Sequence, residues 1–228
     1  MTTLALTAAL MGLGAGDPAI PAAVESRALE STVRVFQPSL RGEGSGVVVM
    51  YQGGTAYILT ASHVVPPGQN GDLVEITFFA KGKPAQMLKG QVSSRMNNED
   101  LAVIIVRMKQ PPPGVSPICP KESLPSKFLK NPLTALTVGM GVGPVGIPEA
   151  VIDRVKEHKL IKKDNGSEAF HWEAEKPQAV GRSGGPLLDS EGRVIGICSG
   201  TRGNKGYYVS GYEIRAALSR NGWEFLIR

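Results

Sequence analysis

An all-β fold built from two consecutive strand-rich units is what this chain predicts, on three observations. Twelve short runs, six in each half, are β-branched or alternate apolar with polar residues, and Gly, Pro or Asn bound them. Glycine (28) and proline (17) are plentiful while aromatics make up 6% of residues, a balance that favours short strands and many turns over long helices. Only Tyr212 to Arg220 reads as a helix, with Asn221-Gly222 as its stop signal.

Taken in order, residues 1–26 form an apolar, small-residue segment with a cleavage point around Ala15 to Ala23 but no Lys or Arg ahead of the apolar run. This segment is read either as a signal peptide or as an N-terminal arm. A first unit, 27–110, holds strands at Thr32 to Phe36, Gly46 to Met50, Ala56 to Thr60, Val74 to Phe79, Met87 to Val92 and Leu101 to Val106. Six strands in so short a span suit a small closed barrel. Residues 111–132, with seven prolines, read as an extended, stiff connector. The second unit, 133–228, holds strands at Leu133 to Val138, Ala150 to Val155, Glu168 to Glu173, Pro186 to Leu188, Val194 to Ser199 and Tyr207 to Ser210, followed by the helix.

At 228 residues and 42% hydrophobic content the chain is long enough for one or two packed units. A net charge of +5 permits attraction to anionic surfaces. The basic residues are dispersed, however, and no stacking-aromatic motif accompanies them, so nucleic acid is not an expected partner. Beyond the leader no stretch approaches the roughly 18 apolar residues of a membrane span. Cys119 and Cys198 lack the spacing of a zinc site. A disulfide and two buried thiols both fit them.

The chemistry concentrates in Gly181-Arg182-Ser183-Gly184-Gly185. A glycine-rich turn exposes a serine hydroxyl and aims neighbouring N–H groups at the same spot. Serine is a weak nucleophile until a base takes its proton and donors hold the oxyanion. His63, directly after the run Ala56 to Thr60, is the candidate base. Of the other two histidines, His158 sits in a charged stretch and His171 on a strand, and both read as solvated or structural. Asp72, Asp153, Asp164 and Asp189 compete with Asp100 to orient His63, but Asp100 alone opens a long apolar strand. Gly141 to Gly146 matches G-x-G-x-x-G, yet Pro148 follows and no βαβ unit surrounds it, so a loop fits better than a dinucleotide site.

Gly44 to Val49 (G-S-G-V-V-V), Thr60 to Val65 (T-A-S-H-V-V), Glu99 to Val103 (E-D-L-A-V) and Gly181 to Leu188 (G-R-S-G-G-P-L-L) together resemble trypsin-like serine proteases, the HtrA-type peptidase domain in particular. The resemblance runs over roughly residues 31–215. It implies a chymotrypsin-like double barrel of two six-stranded antiparallel β-barrels with a short C-terminal helix. The cleft between them would take His63 and Asp100 from the first barrel and Ser183 from the second, in the order of the chymotrypsin group.

By position, the oxyanion hole falls on Gly181, Arg182 and Ser183, with the Gly181 and Ser183 N–H groups as donors. The substrate strand falls on Cys198, Ser199, Gly200 and Thr201, and the floor of the side-chain pocket on Pro177 and Gln178. No carboxylate stands beside that floor in the sequence, so small or medium apolar side chains are the expected preference. Arg182 departs from the family, where an acid or asparagine is common; in the digestive enzymes that acid pairs with a freshly cut N-terminus. Arginine cannot accept an ammonium, and no matching activation sequence lies near Arg27, so activation of that kind is not expected.

The implied function is a serine endopeptidase, exported to the periplasm or exterior and acting on proteins, damaged ones among them. The resemblance implies no cofactor and no metal. A PDZ domain is not expected after Arg220. Two alternatives remain: a protease fold that only grips extended peptides, and a hydrolase of small esters.

Overall fold

Alternating β-branched residues form strands where the alternation predicts them. In the computed structural model, which describes residues 19–38, 42–65, 67, 68, 70–141, 146–162 and 166–228, the first half contains β1 (Thr32–Gln37), β2 (Gly42–Gln52), β3 (Thr55–Thr60), β4 (Leu73–Ala80), β5 (Lys83–Met96) and β6 (Leu101–Arg107). They pair antiparallel in the order β1-β2-β3-β6-β5-β4, and β4 returns to β1 through Arg34 opposite Thr77, which closes the barrel. The second half contains β7 (Leu133–Met140), β8 (Pro148–Lys162), β9 (Glu168–Ala174), β10 (Pro186–Leu188), β11 (Val194–Arg202) and β12 (Lys205–Ser210). Its pairing order is β10-β11-β12-β9-β8-β7, and the three-residue β10 meets β7 through Leu187 opposite Thr137 to complete the ring.

Burial explains why β2 and β6 read as continuous apolar runs. Val48 on β2 and Ala102, Ile104 and Val106 on β6 point into the first barrel beside Val33, Ile58, Ile76 and Phe78. Their neighbours Val47, Val49, Leu101 and Val103 point outward into a seam shared with Leu136, Val138, Leu188 and Ile197 of the second half. Strands buried on both faces lose their polar alternation. The seam removes from water eight aliphatic side chains, each worth about 1.5–3 kcal/mol, so it fixes the two halves against each other.

Helix α2 (Gly211–Arg220) starts one residue before the predicted Tyr212. Ser210 caps it by accepting the Glu213 N–H, and Asn221 ends it. The sequence reading missed a second helix, α1 (Ala22–Ser31), which overlaps the stretch assigned to the leader or arm. Its Val24 and Ala28 pack into the seam, so residues 22–26 belong to the folded body. The rest of the leader assignment, residues 1–18, lies outside the described residues, as do 142–145 of the glycine-rich loop. No helix among the described residues is long and apolar enough to cross a membrane.

The proline-rich connector is extended and lies on the protein rather than free of it. The Ser116 N–H donates to Val48 O at 2.9 Å, and Cys119 N–H to Val194 O at 3.0 Å. Cys119 and Cys198 are both free thiols. They share the core of the second half with Trp172, Leu187 and Tyr208, and burial raises the Cys119 pKa to about 11 and that of Cys198 to about 12.

Strands β5 and β8 are far longer than predicted. The charged stretch around His158, read as solvated or structural, is the outer part of a β8–β9 ribbon laced by ion pairs such as Lys159–Glu173 at 2.6 Å. Within it His158 takes the structural alternative: its ring stacks on Phe170 at 5.0 Å and lies 4.6 Å from Trp172 and 5.7 Å from Tyr212. Among the described residues its buried Nε2 meets no hydrogen-bond partner. Burial, then the Lys127 ammonium and His171, lower its pKa from the ordinary 6.5 to about 4. The unfolded chain therefore takes up this proton before the folded one, and stability falls as pH drops from about 6.5 to about 4. Replacing His158 by Phe should remove part of the decline in Tm across that window; identical pH slopes for both proteins would show that His158 contributes none of it.

Candidate active site

After β3 the chain turns through a single 3₁₀ turn, Ser62–Val64, that presents His63 at the surface with its side chain 47% exposed. Asp100 closes the turn between β5 and β6, its N–H donating to Asn97 O at 3.3 Å and its φ at +63°. Aspartate tolerates this left-handed conformation better than most side chains, and it aims the carboxylate back under His63.

The Asp100 carboxylate is buried and surrounded by donors. His63 Nδ1 lies 2.9 Å from Oδ1 and 3.0 Å from Oδ2. The His63 backbone N–H donates to Oδ1 at 3.2 Å, the Ser62 hydroxyl to Oδ1 at 3.0 Å and the Ser199 hydroxyl to Oδ2 at 2.5 Å. A carboxylate only accepts, so the imidazole carries its proton on Nδ1 and leaves Nε2 as an acceptor. The part Ser199 plays here was not legible in the sequence, because it arrives from β11, ninety-nine positions away.

Ser183 reaches the same place from the second half. Its carbonyl accepts the Ser45 N–H at 2.7 Å. Beside it, Gly184 sits at φ +83°, so close to the first barrel that a Cβ there would overlap Ser45 O and Thr60 Oγ1 and lie 2.9 Å from Ala61 N. Across the contact, a Cβ on Gly44 would lie 3.0 Å from Ser183 O and 2.7 Å from both Val64 methyls. The serine turn is thus packed on the turn that carries His63. No hydrogen bond joins the Ser183 hydroxyl to the imidazole in this structure; such bonds are often long in free enzymes and tighten when substrate binds.

Ahead of Ser183, the Arg182 N–H donates to Ala179 O at 3.2 Å and Gly181 has φ +92°. This is a type II turn, which requires positive φ at its third residue and hence favours glycine there. Among the described residues no acceptor meets the Gly181 or Ser183 N–H. Arg182, only 5% exposed, points into the protein: it donates from Nε to Gln178 Oε1 at 3.2 Å, from Nη1 to Glu149 O at 3.2 Å and from Nη2 to Thr137 O at 3.0 Å.

A groove of about 1110 Å³ runs past His63 and Asp100 and is walled by Ser199, Gly200, Thr201 and Tyr207, with His171 buried in its side. Pro177 and Gln178 line a separate cavity of about 170 Å³ beside Arg182. Cys198 lines neither; its backbone fixes the serine turn, accepting the Gly184 N–H and donating to Gly185 O, both at 2.8 Å. Thr201 links the two regions, its hydroxyl accepting the Gln178 N–H at 2.6 Å and donating to Gln178 O at 3.0 Å.

The sequence showed no carboxylate beside Pro177 and Gln178, but the fold supplies one. Asp153 of β8 is buried with Oδ2 3.4 Å from Gln178 Nε2, and its Oδ1 accepts the Arg154 and Lys176 N–H groups at 2.7 and 3.2 Å. Burial raises its pKa. The available signal was an acid on the inward face of an alternating strand, two residues from buried Val155. Among the described residues no cluster of three or more His, Cys, Asp or Glu could hold a metal ion.

Known proteins resemble this chain in sequence and in fold. The chain is 29% identical to the serine protease Do-like HtrA of Lactobacillus helveticus over 160 residues, which make up 69% of this chain and 35% of that protein. It spans about a third of the length of the curated relatives it matches. The inactive form of the Rv3671c protease superposes with a TM-score of 0.67 at 23% identity, covering 91% of this chain and 98% of that one. The active form of the same protease, from M. tuberculosis, gives 0.65 at 21%, covering 97% and 95%. The family described as trypsin-like peptidase domain matches residues 44–197, a span that contains His63, Asp100 and Ser183. That match covers well over half of the sequence, and the chain belongs to the trypsin-like peptidase family.

Proposed function

We propose that the protein is a serine endopeptidase that cleaves peptide bonds through an acyl-enzyme formed on Ser183. One observation carries the reading: His63 Nδ1 is held by the buried Asp100 carboxylate at 2.9 and 3.0 Å while the Ser183 turn packs directly on the histidine's own turn.

In this mechanism His63 Nε2 takes the Ser183 proton as Oγ attacks the substrate carbonyl. Asp100 stabilises the imidazolium that results. The oxyanion accepts from the Gly181 and Ser183 N–H groups, the two donors near the serine without acceptors of their own. His63 then gives its proton to the leaving amine. Water, deprotonated by the same imidazole, attacks the acyl-enzyme and releases Ser183. The substrate backbone pairs along Ser199 to Thr201 of β11, in the groove with His63. The similarity to HtrA proteins favours protein substrates outside the cytoplasm, damaged ones included.

The missing Ser183–His63 hydrogen bond favours a second reading, in which the chain grips extended peptides at β11 without cutting them. Replacing Ser183 by Ala separates the two. A working triad should lose about 10⁶-fold in hydrolysis, roughly 8 kcal/mol of transition-state stabilisation, while peptide binding survives. A fluorophosphonate should label the wild type at Ser183 and not the variant; an unlabelled wild type would leave only the binding module.

Specificity is assigned to Gln178, although it lines the smaller cavity and not the groove with His63. A Cβ on Gly206 would lie 2.8 Å from Gln178 Nε2, so this amide fills the space between β12 and Asp153. Gln178→Ala opens that space and uncovers the Asp153 carboxylate. On peptides varied at the residue before the cut, the ratio of kcat/KM for Lys to that for Ala should rise at least about tenfold. An unchanged ranking across the peptides would remove Gln178 from the pocket.

A further inference from the structure

We infer that Arg182 is a positioning residue: its buried guanidinium holds the Ala179–Arg182 turn in the form that turns the Gly181 and Ser183 N–H groups towards the groove. The inference rests on the endopeptidase reading and assigns to this side chain a part that its neighbour, the nucleophile, cannot supply.

Three observations carry it. The first is the direction of the side chain. Arg182 is 5% exposed although it lies next to the groove, and its donors spread over three separate pieces of chain: Thr137 on β7, Glu149 on β8 and Gln178 at the base of the turn. Thr137 meets Nη2 through both its carbonyl at 3.0 Å and its hydroxyl at 3.4 Å. A rigid fork with five donors can span such a set; an ammonium, a single point of charge, cannot.

The second is what the guanidinium lacks. Among the described residues no carboxylate lies within ion-pair distance of Arg182, and its charge is met by carbonyl, hydroxyl and amide oxygens. A desolvated cation satisfied only by oriented dipoles is costly to displace from them, which makes the arrangement sensitive to geometry. The backbone is fitted to it as well. A Cβ on Gly139 would lie 2.9 Å from Arg182 Cα, so β7 leaves room for the residue only by carrying glycine.

The third concerns the tip of the turn: the Ser45 hydroxyl holds the Gly181 carbonyl at 2.7 Å, but among the described residues nothing bonds the central Val180–Gly181 peptide itself. Val180, the residue after Ala179, is 91% exposed. A type II turn differs from a type I turn by rotation of its central peptide, here the Val180–Gly181 unit that carries one of the two donor N–H groups. The bond from Arg182 N–H to Ala179 O is compatible with both forms. What distinguishes them is how Gln178 and Arg182, on either side, are held, and the guanidinium ties these two residues to each other and to the barrel wall.

Arg182→Ala tests this, because the cavity of about 170 Å³ beside the side chain gives a small cation a route in. The variant should lose about 10²–10³-fold in kcat with KM within threefold, and fluorophosphonate labelling should slow in parallel. Millimolar ethylguanidinium should restore at least tenfold of the lost rate, and ethylammonium at the same concentration should not. Wild-type kcat in the variant, or a loss that ethylguanidinium leaves unchanged in a folded protein, overturns the inference. Should Arg182→Ala not fold, Arg182→Lys takes its place. It keeps the charge but not the fork, so a folded, tenfold slower enzyme supports the inference, whereas wild-type kcat or failure to fold overturns it. A wild type that neither cleaves nor labels would instead sink the endopeptidase reading, independently of Arg182.

Discussion

The site depends on Ser45, a small buried residue of β2 whose N–H and hydroxyl tie the second half of the molecule to the first. Its N–H donates to Ser183 O at 2.7 Å, and its hydroxyl donates to Gly181 O at 2.7 Å while accepting the Met140 N–H at 2.8 Å. Its carbonyl in turn accepts from Thr60 Oγ1 at 2.7 Å, and Thr60 ends the strand that leads to His63. One residue therefore sets the distance between the turn that holds the serine and the turn that holds the histidine. The apolar seam around it, Val47 and Leu59 against Leu136 and Val138, keeps the two halves from sliding and excludes the water that would compete for these bonds.

Two buried charges in the site are handled in opposite ways. Asp100 is an anion encircled by donors: two hydroxyls, a backbone N–H and an imidazole. Arg182 is a cation encircled by acceptors from the backbone and two side chains. Among the described residues no carboxylate lies within ion-pair distance of Arg182, so oxygen dipoles alone meet its charge. Fully satisfied polar networks of this kind hold geometry tightly, since losing any one partner leaves a desolvated group unpaired. The charge on Asp100 is thereby directed at the imidazole, and that on Arg182 at the shape of the turn.

Much of this was legible in the chain itself. Strands fell where β-branched alternation placed them, β10 at Pro186–Leu188 included. His63 and Asp100 stand at strand ends, and strand ends are where a local pattern stops; that is why both could be proposed without coordinates. What escaped were elements whose partners are distant. Helix α1 has a weak pattern of its own and is held by burial of Val24 and Ala28 in the seam. The outer half of β8 looks like a solvated run because its charges are paired across a ribbon with β9, a relation that sequence spacing does not encode.

The sequence by itself determined the β class, the order of His63, Asp100 and Ser183, and the glycines that the serine turn requires, because each of these is written in neighbouring residues: a period of two, a strand end, a residue without Cβ. Tertiary structure alone decided that Ser199 would serve Asp100, that Asp153 would lie beneath Gln178, and that Arg182 would turn inward onto carbonyl, hydroxyl and amide oxygens. Those contacts span 99, 25 and up to 45 positions of chain. Pairing at such separations is chosen by how the strands pack and by which buried polar groups must find partners, and that choice is made only when the whole chain has folded.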